Sequence, residues 1–305
     1  GVTKHYVMGM ELVLTNGDVI KWGGKTVKNV TGYDLTALYT GAEGTLGIIT
    51  KILVKLIPAP EARKSFLAVF DDLNKAGTCI SSIIKNKVIP ATLEIMDNVT
   101  IRTVENFTKA GLPVDAEAVV LIEVDGYKES VMREAEIVER ICRECGAVEV
   151  KAAESDEERD NIWFARRNAL PALAQLKPTT VLEDATVPRS KIPEMLRAIR
   201  QIAEKYNLTI GTFGHAGDGN LHPTIVTDYR DKEEMERVEK AVDEIFEAAI
   251  SLGGTLSGEH GVGMAKAKYL PLEFGEAGVR VLRRIKEALD PDYLLNPGKI
   301  VLRGE

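Results

Sequence analysis

The sequence is short of cysteine, histidine and positive charge. It has three cysteines in 305 residues, Cys79, Cys142 and Cys145. That is too few for the disulfide framework of a small secreted domain, so a reducing compartment is expected. Its 39 lysines and arginines are outnumbered by 46 aspartates and glutamates, for a net charge of −7. With no cluster to concentrate the cations, nucleic acid and anionic membrane surfaces are poor partners. No apolar run approaches the roughly 20 residues of a membrane span, and stretches such as AVVLIEV are strand-sized. Low-complexity tracts and short-period repeats are absent. A cytoplasmic chain is expected, reaching a membrane only peripherally through a partner. Cys142 and Cys145 form a C-x-x-C inside the helical pattern MREAEIVERICRECGA. With no second pair to complete a zinc site, they read as two ordinary helix positions.

What is present is a globular composition: 45% hydrophobic, 28% charged, with 26 glycines and 12 prolines. The length accommodates one large or two medium domains. The chain opens at Gly1, with neither an initiator methionine nor a leader pattern. HYVMGMELVLTNGDVIKWGG already alternates as a strand, turns at Asn16-Gly17-Asp18 and resumes, as if entered in mid-domain. A short helix starting near Asp34 or Thr36 follows, then a glycine turn, the strand IITKILVKLIP and a boundary at Pro58 and Pro60. Strands then alternate with long amphipathic helices. One of these helices is expected across SDEERDNIWFARRNALPALAQL, and one strand across TTVLEDATV. The alternation points to an α+β fold with a split βαβ, ferredoxin-like layer, an antiparallel sheet with helices on one face. Charge-rich helices such as EEMERVEKAVDE read as solvated outer faces.

Two of the four histidines fall in FGHAGDGNLHP, at His215 and His222. On one continuous strand, residues seven apart face opposite ways. With Gly217-Asp218-Gly219-Asn220 as a turn they lie on adjacent antiparallel strands and can face the same way. Two imidazoles held across a hairpin are half of a first-row metal site. LSGEHGVG is the natural third element. Glu259 and His260 are adjacent, so in extended backbone they point apart and can take separate tasks. His215, His222 and Glu259 would supply two imidazoles and a carboxylate, leaving positions open for substrate. His260 would remain as a base whose unperturbed pKa lies near neutrality. Asp218, between two glycines, reads as a turn stabiliser before a ligand.

GHAGDGNLHP, SGEHGVG and LNPGKIV, with TGYDLTALYTGAEGTLGIIT near the start, resemble the FAD-linked 2-hydroxyacid dehydrogenases. This is the glycolate oxidase catalytic subunit and D-lactate dehydrogenase type, within the vanillyl-alcohol-oxidase flavoprotein superfamily. The resemblance runs from Gly1 to about Val301. It implies a partial FAD-binding domain over residues 1–57, a cap and substrate domain with the metal site over 58–270, and a C-terminal helix and tail returning to the flavin over 271–305. The FAD subdomain that grips the pyrophosphate is absent from these residues, so a fragment is expected, or a split enzyme whose other half is a separate chain.

The resemblance also assigns roles. His215, His222 and Glu259 would hold a divalent metal (Zn, Mn or Fe), and His260 would be the base. Arg166, with Arg167 as its neighbour, would bind the substrate carboxylate, where composition alone reads a surface salt bridge. Gly41, Glu43, Gly44, Thr45, Gly47 and Ile48 would contact FAD, with Asn296 near the flavin. The implied reaction oxidises a small D-2-hydroxy acid to the 2-oxo acid, with hydride passing to flavin N5. Pro223-Thr224 and Leu182 lean toward glycolate or lactate. No iron–sulfur cysteine set is present, so electrons would pass to a partner such as an iron–sulfur subunit or an electron-transferring flavoprotein. A homodimer is compatible. The competing readings are a metal-dependent hydrolase using His215, His222 and Glu259, and a non-catalytic subunit of a larger flavoprotein complex.

Overall fold

The computed structural model describes residues 2–301; Gly1 and residues 302–305, the outer ends of the expected first and last segments, lie outside the described residues. Along the chain the elements are β1 (Val7–Val13), β2 (Val19–Gly23), α1 (Leu35–Tyr39), β3 (Ile48–Val54), β4 (Ala62–Phe70), α2 (Leu73–Lys85), β5 (Thr92–Asp97), α3 (Asn98–Thr108), β6 (Ala118–Gly126) and α4 (Lys128–Glu144). They continue with β7 (Glu149–Ala152), α5 (Asp156–Arg167), α6 (Ala169–Leu173), β8 (Thr179–Leu182), β9 (Ala185–Thr186), α7 (Ile192–Tyr206), β10 (Thr209–His215), β11 (Asn220–Thr227), α8 (Lys232–Ser251) and α9 (Leu270–Leu289). Two of the expected elements are divided. The helix across 155–176 breaks at Asn168, and the strand across 179–187 is interrupted at Glu183 and Asp184.

The chain forms two compact units: one comprises Gly1–Pro58 with Glu259–Glu305, the other Ala59–Gly258. Residues 259–270, expected with the cap, group with the first unit.

The first unit is a three-stranded antiparallel sheet in the order β2-β1-β3. Asp34 caps α1, its carboxylate accepting the amide of Ala37 at 2.9 Å. Met10, Leu12, Tyr39, Ala42 and Leu46 form a small core, against which Trp22, Leu38 and the α9 residues Ile285 and Leu289 pack. Buried Lys286 ties α9 to this core by donating to the carbonyls of Thr45 at 2.7 Å and Leu295 at 2.8 Å, and to Asp290. β3 buries little of itself, and Ile48 and Ile52 are more than half exposed.

The second unit is an antiparallel sheet in the order β7-β4-β6-β5-β10-β11-β8, with β9 beside β11. Its first four strands have the 4-1-3-2 order of a ferredoxin-like layer. β4 reads SFLAVF through its second half and is buried at six successive residues, the mark of a strand covered on both faces. The expectation of helices on one face is therefore corrected. α2, α4, α7 and α8 pack beside one another along the sheet. The opposite face is covered by α3, α5 and α6, whose Ile101, Val104, Ala165, Ala169 and Leu173 pack on Leu67, Val69, Met96, Val119, Leu121 and Phe213. Apolar residues on both sides of the pleat need a second layer: each fully buried large side chain contributes roughly 1.5–3 kcal/mol only where something covers it.

Candidate active site and its relatives

The hairpin expected around His215 and His222 is β10–β11. Its register pairs His215 with Asn220 and Phe213 with His222. Directly opposed residues share a face, and so do residues two apart on one strand. His215, Phe213, Asn220 and His222 therefore all face the same way. The two imidazoles stand edge to face with ring centroids 5.2 Å apart, and Phe213 tilts against His222 at 5.5 Å. His222 and Asn220 are buried, whereas Asp218 is exposed at the tip, as a turn residue. The turn closes through the amide of Asp218 on the His215 carbonyl at 3.0 Å. Gly214 and Gly219 are required by close approach: a Cβ would lie 2.4 Å from the Asn220 carbonyl at the first and 2.0 Å from that of Val187 at the second.

Arg166 points inward from α5, and Arg167 is exposed. Its Nε donates to Glu94 Oε2 at 2.8 Å and its Nη2 lies 2.7 Å from the same oxygen. Its guanidinium lies over the Phe213 ring at 4.7 Å. Glu94 Oε1 is 2.6 Å from His215 Nδ1, so one buried carboxylate joins the expected substrate anchor to an expected metal ligand. Glu123, on the same face of β6, accepts from Trp163 at 3.1 Å and Ser65 at 2.7 Å, which holds α5 against the sheet. The sequence reading missed both glutamates. Their signal was a lone carboxylate inside an apolar strand, ATLEIMD and AVVLIEVDG, where an unpaired charge is too costly to bury.

Beside the hairpin, Asp184 is fully buried and accepts from Ser257 at 2.6 Å. Thr255 bridges to Thr186, and a Cβ on Gly258 would lie 2.3 Å from Thr186 Oγ1 and 2.8 Å from Asn220 Nδ2. The segment that leads to Glu259 is thus pressed onto β9 and β11.

In the first unit, Glu259 and His260 do not point apart. His260 Nε2 lies 3.9 Å from Glu259 Oε1, because these residues form a bend rather than extended backbone. Glu43, with φ of 52°, holds the residues just after them. Its carboxylate accepts the amides of Val262 at 2.6 Å and Gly263 at 2.8 Å, and its carbonyl accepts from Asn296. Thr45 turns inward, its hydroxyl donating to the Ala42 carbonyl at 2.7 Å. Gly47 lies against the core, where a Cβ would be 2.5 Å from Leu12. Gly41 has positive φ and open space beyond its Cα, Gly44 has positive φ with Asn296 nearby, and Ile48 is exposed.

Residues 59–300 match the family described as FAD linked oxidases, C-terminal domain. The chain belongs to the FAD-linked oxidase family. It is 55% identical over 300 residues to the glycolate oxidase subunit GlcD of Bacillus subtilis (strain 168), covering 98% of this chain and 64% of that protein. Identity to the GlcD of Escherichia coli (strain K12) is 40%, over 98% of this chain and 60% of the relative. A D-lactate dehydrogenase of Anaerostipes hadrus is 33% identical, over 98% and 65%. The chain thus spans somewhat under two thirds of the length of these relatives. Among solved structures, the 4-ethylphenol oxidase of Gulosibacter chungangensis in complex with isoeugenol aligns with a TM-score of 0.74 and 16% identity, covering 99% of this chain and 66% of that one. p-Cresol methylhydroxylase with substrate bound aligns at 0.70 and 17%, over 98% and 65%. These two likenesses establish the fold alone, an α+β one. No helix among the described residues is long and apolar enough to cross a membrane.

Proposed function

We propose that this FAD-linked oxidase chain carries the substrate and metal half of an enzyme that oxidises a small D-2-hydroxy acid, of the glycolate or D-lactate type, to the 2-oxo acid. The supporting observation is the hairpin of the second unit, where two imidazoles stand edge to face beside a partly buried guanidinium. The donor set fits a divalent ion. The Nδ1 side of His215 is engaged by Glu94, so its lone pair lies on Nε2. Ring nitrogens of His215 and His222 also lie within 4.8 Å of one another.

In this reading His215, His222 and Glu259 hold the ion, Zn, Mn or Fe, which when bound polarises the substrate hydroxyl. Glu94 occupies the Nε and Nη2 side of Arg166, and the Nη1 side receives the substrate carboxylate. His260 takes the hydroxyl proton, and Glu43 fixes the loop that carries His260 through the amides of Val262 and Gly263. The wall for FAD is formed by Gly41, Glu43, Gly44, Thr45, Gly47, Ile48 and Asn296. Open backbone at Gly41 and exposed Ile48 suit a flat ring system. FAD, when bound, supplies the two-electron acceptor for the C2 hydrogen. Electrons then leave through a partner subunit, of the iron–sulfur or electron-transferring flavoprotein kind, and a further polypeptide segment completes the grip on the cofactor.

The test is to mix the FAD-loaded protein with glycolate or D-lactate in the presence of Mn²⁺ or Zn²⁺ and follow the visible flavin spectrum. Bleaching by 2-hydroxy acids, lost in H260A, is expected. A flavin that keeps its colour with every acid, in a protein that hydrolyses esters with the ion alone, would overturn the reading in favour of a hydrolase.

A further inference from the structure

Glu94 lies in the middle of β5 and is 4% exposed. A buried carboxylate must be fully hydrogen-bonded or it destabilises the fold. Its two oxygens do this with different elements: Oε1 meets Nδ1 of His215 on β10 at 2.6 Å, and Oε2 accepts from Nε of Arg166 on α5 at 2.8 Å, with Nη2 of the same guanidinium 2.7 Å away. A carboxylate paired with a guanidinium brings no proton of its own, so the hydrogen in the contact with His215 resides on Nδ1. The ring is thereby fixed as the tautomer whose lone pair lies on Nε2, and its plane is fixed as well.

We propose that Glu94 is a positioning residue that sets His215 and Arg166 in register with each other. Through it, the ion-binding nitrogen and the carboxylate-binding fork are aimed by one side chain. This rests on the reading above in taking His215 as a ligand and Arg166 as the substrate anchor. A purely structural role explains less. α5 has its own tether to the sheet through Trp163 and Ser65 on Glu123, and an ion pair to Arg166 alone would not need the second oxygen on a histidine. Glutamine at this position could not replace it. An amide has one acceptor oxygen, so with that oxygen on Arg166 its NH₂ meets Nδ1 of His215, which must then accept and give up its hydrogen to Nε2.

The experiment compares wild type, E94Q, H222A and E234Q. Glu234 is another buried glutamate, paired with Lys177 at 2.7 Å and packed near Thr227, the far end of the strand that carries His222. Long-range ¹H–¹⁵N spectra of the metal-free chain report the His215 tautomer, and equilibrium dialysis reports Mn²⁺ or Zn²⁺ affinity. The expectation is an Nδ1–H His215 in wild type and E234Q, a mixed or reversed tautomer in E94Q, and ion binding weakened about 10- to 100-fold in E94Q but unchanged in E234Q. If E94Q does not fold, E94D, which keeps the charge but is one methylene short of reaching both partners, should show the same tautomer change. An E94Q chain with the wild-type tautomer and wild-type affinity would overturn the role of Glu94. A wild-type chain whose tautomer depends on Glu94 but which binds no ion through His222 would instead sink the metal reading, and Glu94's role toward an ion with it.

Discussion

Around the β10–β11 hairpin each candidate side chain already rests on another: His215 on Glu94, Glu94 on Arg166, Arg166 on Phe213 and Phe213 on His222. The turn from Gly41 to Ile48 in the first unit is built the other way. Its side chains, Glu43, Thr45 and Leu46, are spent on the unit's own structure, and the surface it presents is backbone at Gly41 and the exposed Ile48. A site of the first kind is preorganised by buried polar contacts and should fail when a single link is cut. A site of the second kind offers shape, and should tolerate changes that leave the backbone where it is.

The largest effect that would separate the two is loss of both hairpin histidines. H215A/H222A should lower Mn²⁺ or Zn²⁺ affinity well beyond the roughly 100-fold typical of losing a supporting hydrogen bond, measured by dialysis and metal analysis. G41A in the same assay should leave ion binding untouched. Metal binding that survives the double substitution would break the comparison. Next in size is R166A, which leaves Glu94 buried with only His215 as a partner. Breaking one side of a buried pair costs about 3–5 kcal/mol, to be read by denaturant unfolding. R166K restores charge without the planar fork, so it should recover part of that stability but little of the affinity for a 2-hydroxy acid.

The glycines sharpen the contrast. G219A places a Cβ 2.0 Å from the Val187 carbonyl at a φ of 81°, combining backbone strain with overpacking, and should lose about 3 kcal/mol. G41A, with φ of 89° and nothing within 4 Å of the added carbon, should lose about 1–2 kcal/mol from the backbone alone. Its main consequence should be weaker FAD retention after desalting. Equal losses of stability with unchanged flavin would mean that Gly41 serves the fold alone.

The same contrast explains what could be read from sequence. The odd separation of His215 and His222 across a glycine turn predicted a shared face from the period of a strand alone, and the register gives that face. The reach of Arg166 could not be read that way. A helix carrying ERDNIWFARR offers two adjacent arginines, and only packing of Ala165 and Trp163 on the sheet turns one inward. Glu94 was overlooked because strand pattern weighs hydrophobicity, and one carboxylate among Leu93, Ile95 and Met96 does not change the period. The orientation of Glu259 does not follow from strand period, because Gly261, at a φ of 86°, permits a bend where the pattern implies extended backbone. Helices on both faces of the sheet were missed for a related reason. The amphipathic period shows that a helix has a buried face, but not which side of the sheet it covers.

The most gradual expected effect also lies on β5. Asp97 ends that strand on the opposite side of the pleat from Glu94, caps α3 through the Thr100 amide at 2.9 Å, and accepts the β10 amide of Thr212 at 2.8 Å. Burial raises its pKa from the ordinary carboxylate value to about 6, outweighing the amides, which favour the charged form. A folded-state pKa above the unfolded value means that the native chain binds the proton more tightly between about pH 4 and 6. The stability due to this group is therefore greatest on the acid side and falls as pH rises through that window, with a slope of at most about 1.4 kcal/mol per pH unit. Urea titrations of wild type and D97N across the window should show the slope in the first and its disappearance in the second. A D97N chain that keeps the wild-type slope would show that Asp97 is not the group titrating. In that case the anchoring of β10 beside the histidines owes nothing to burial of this charge.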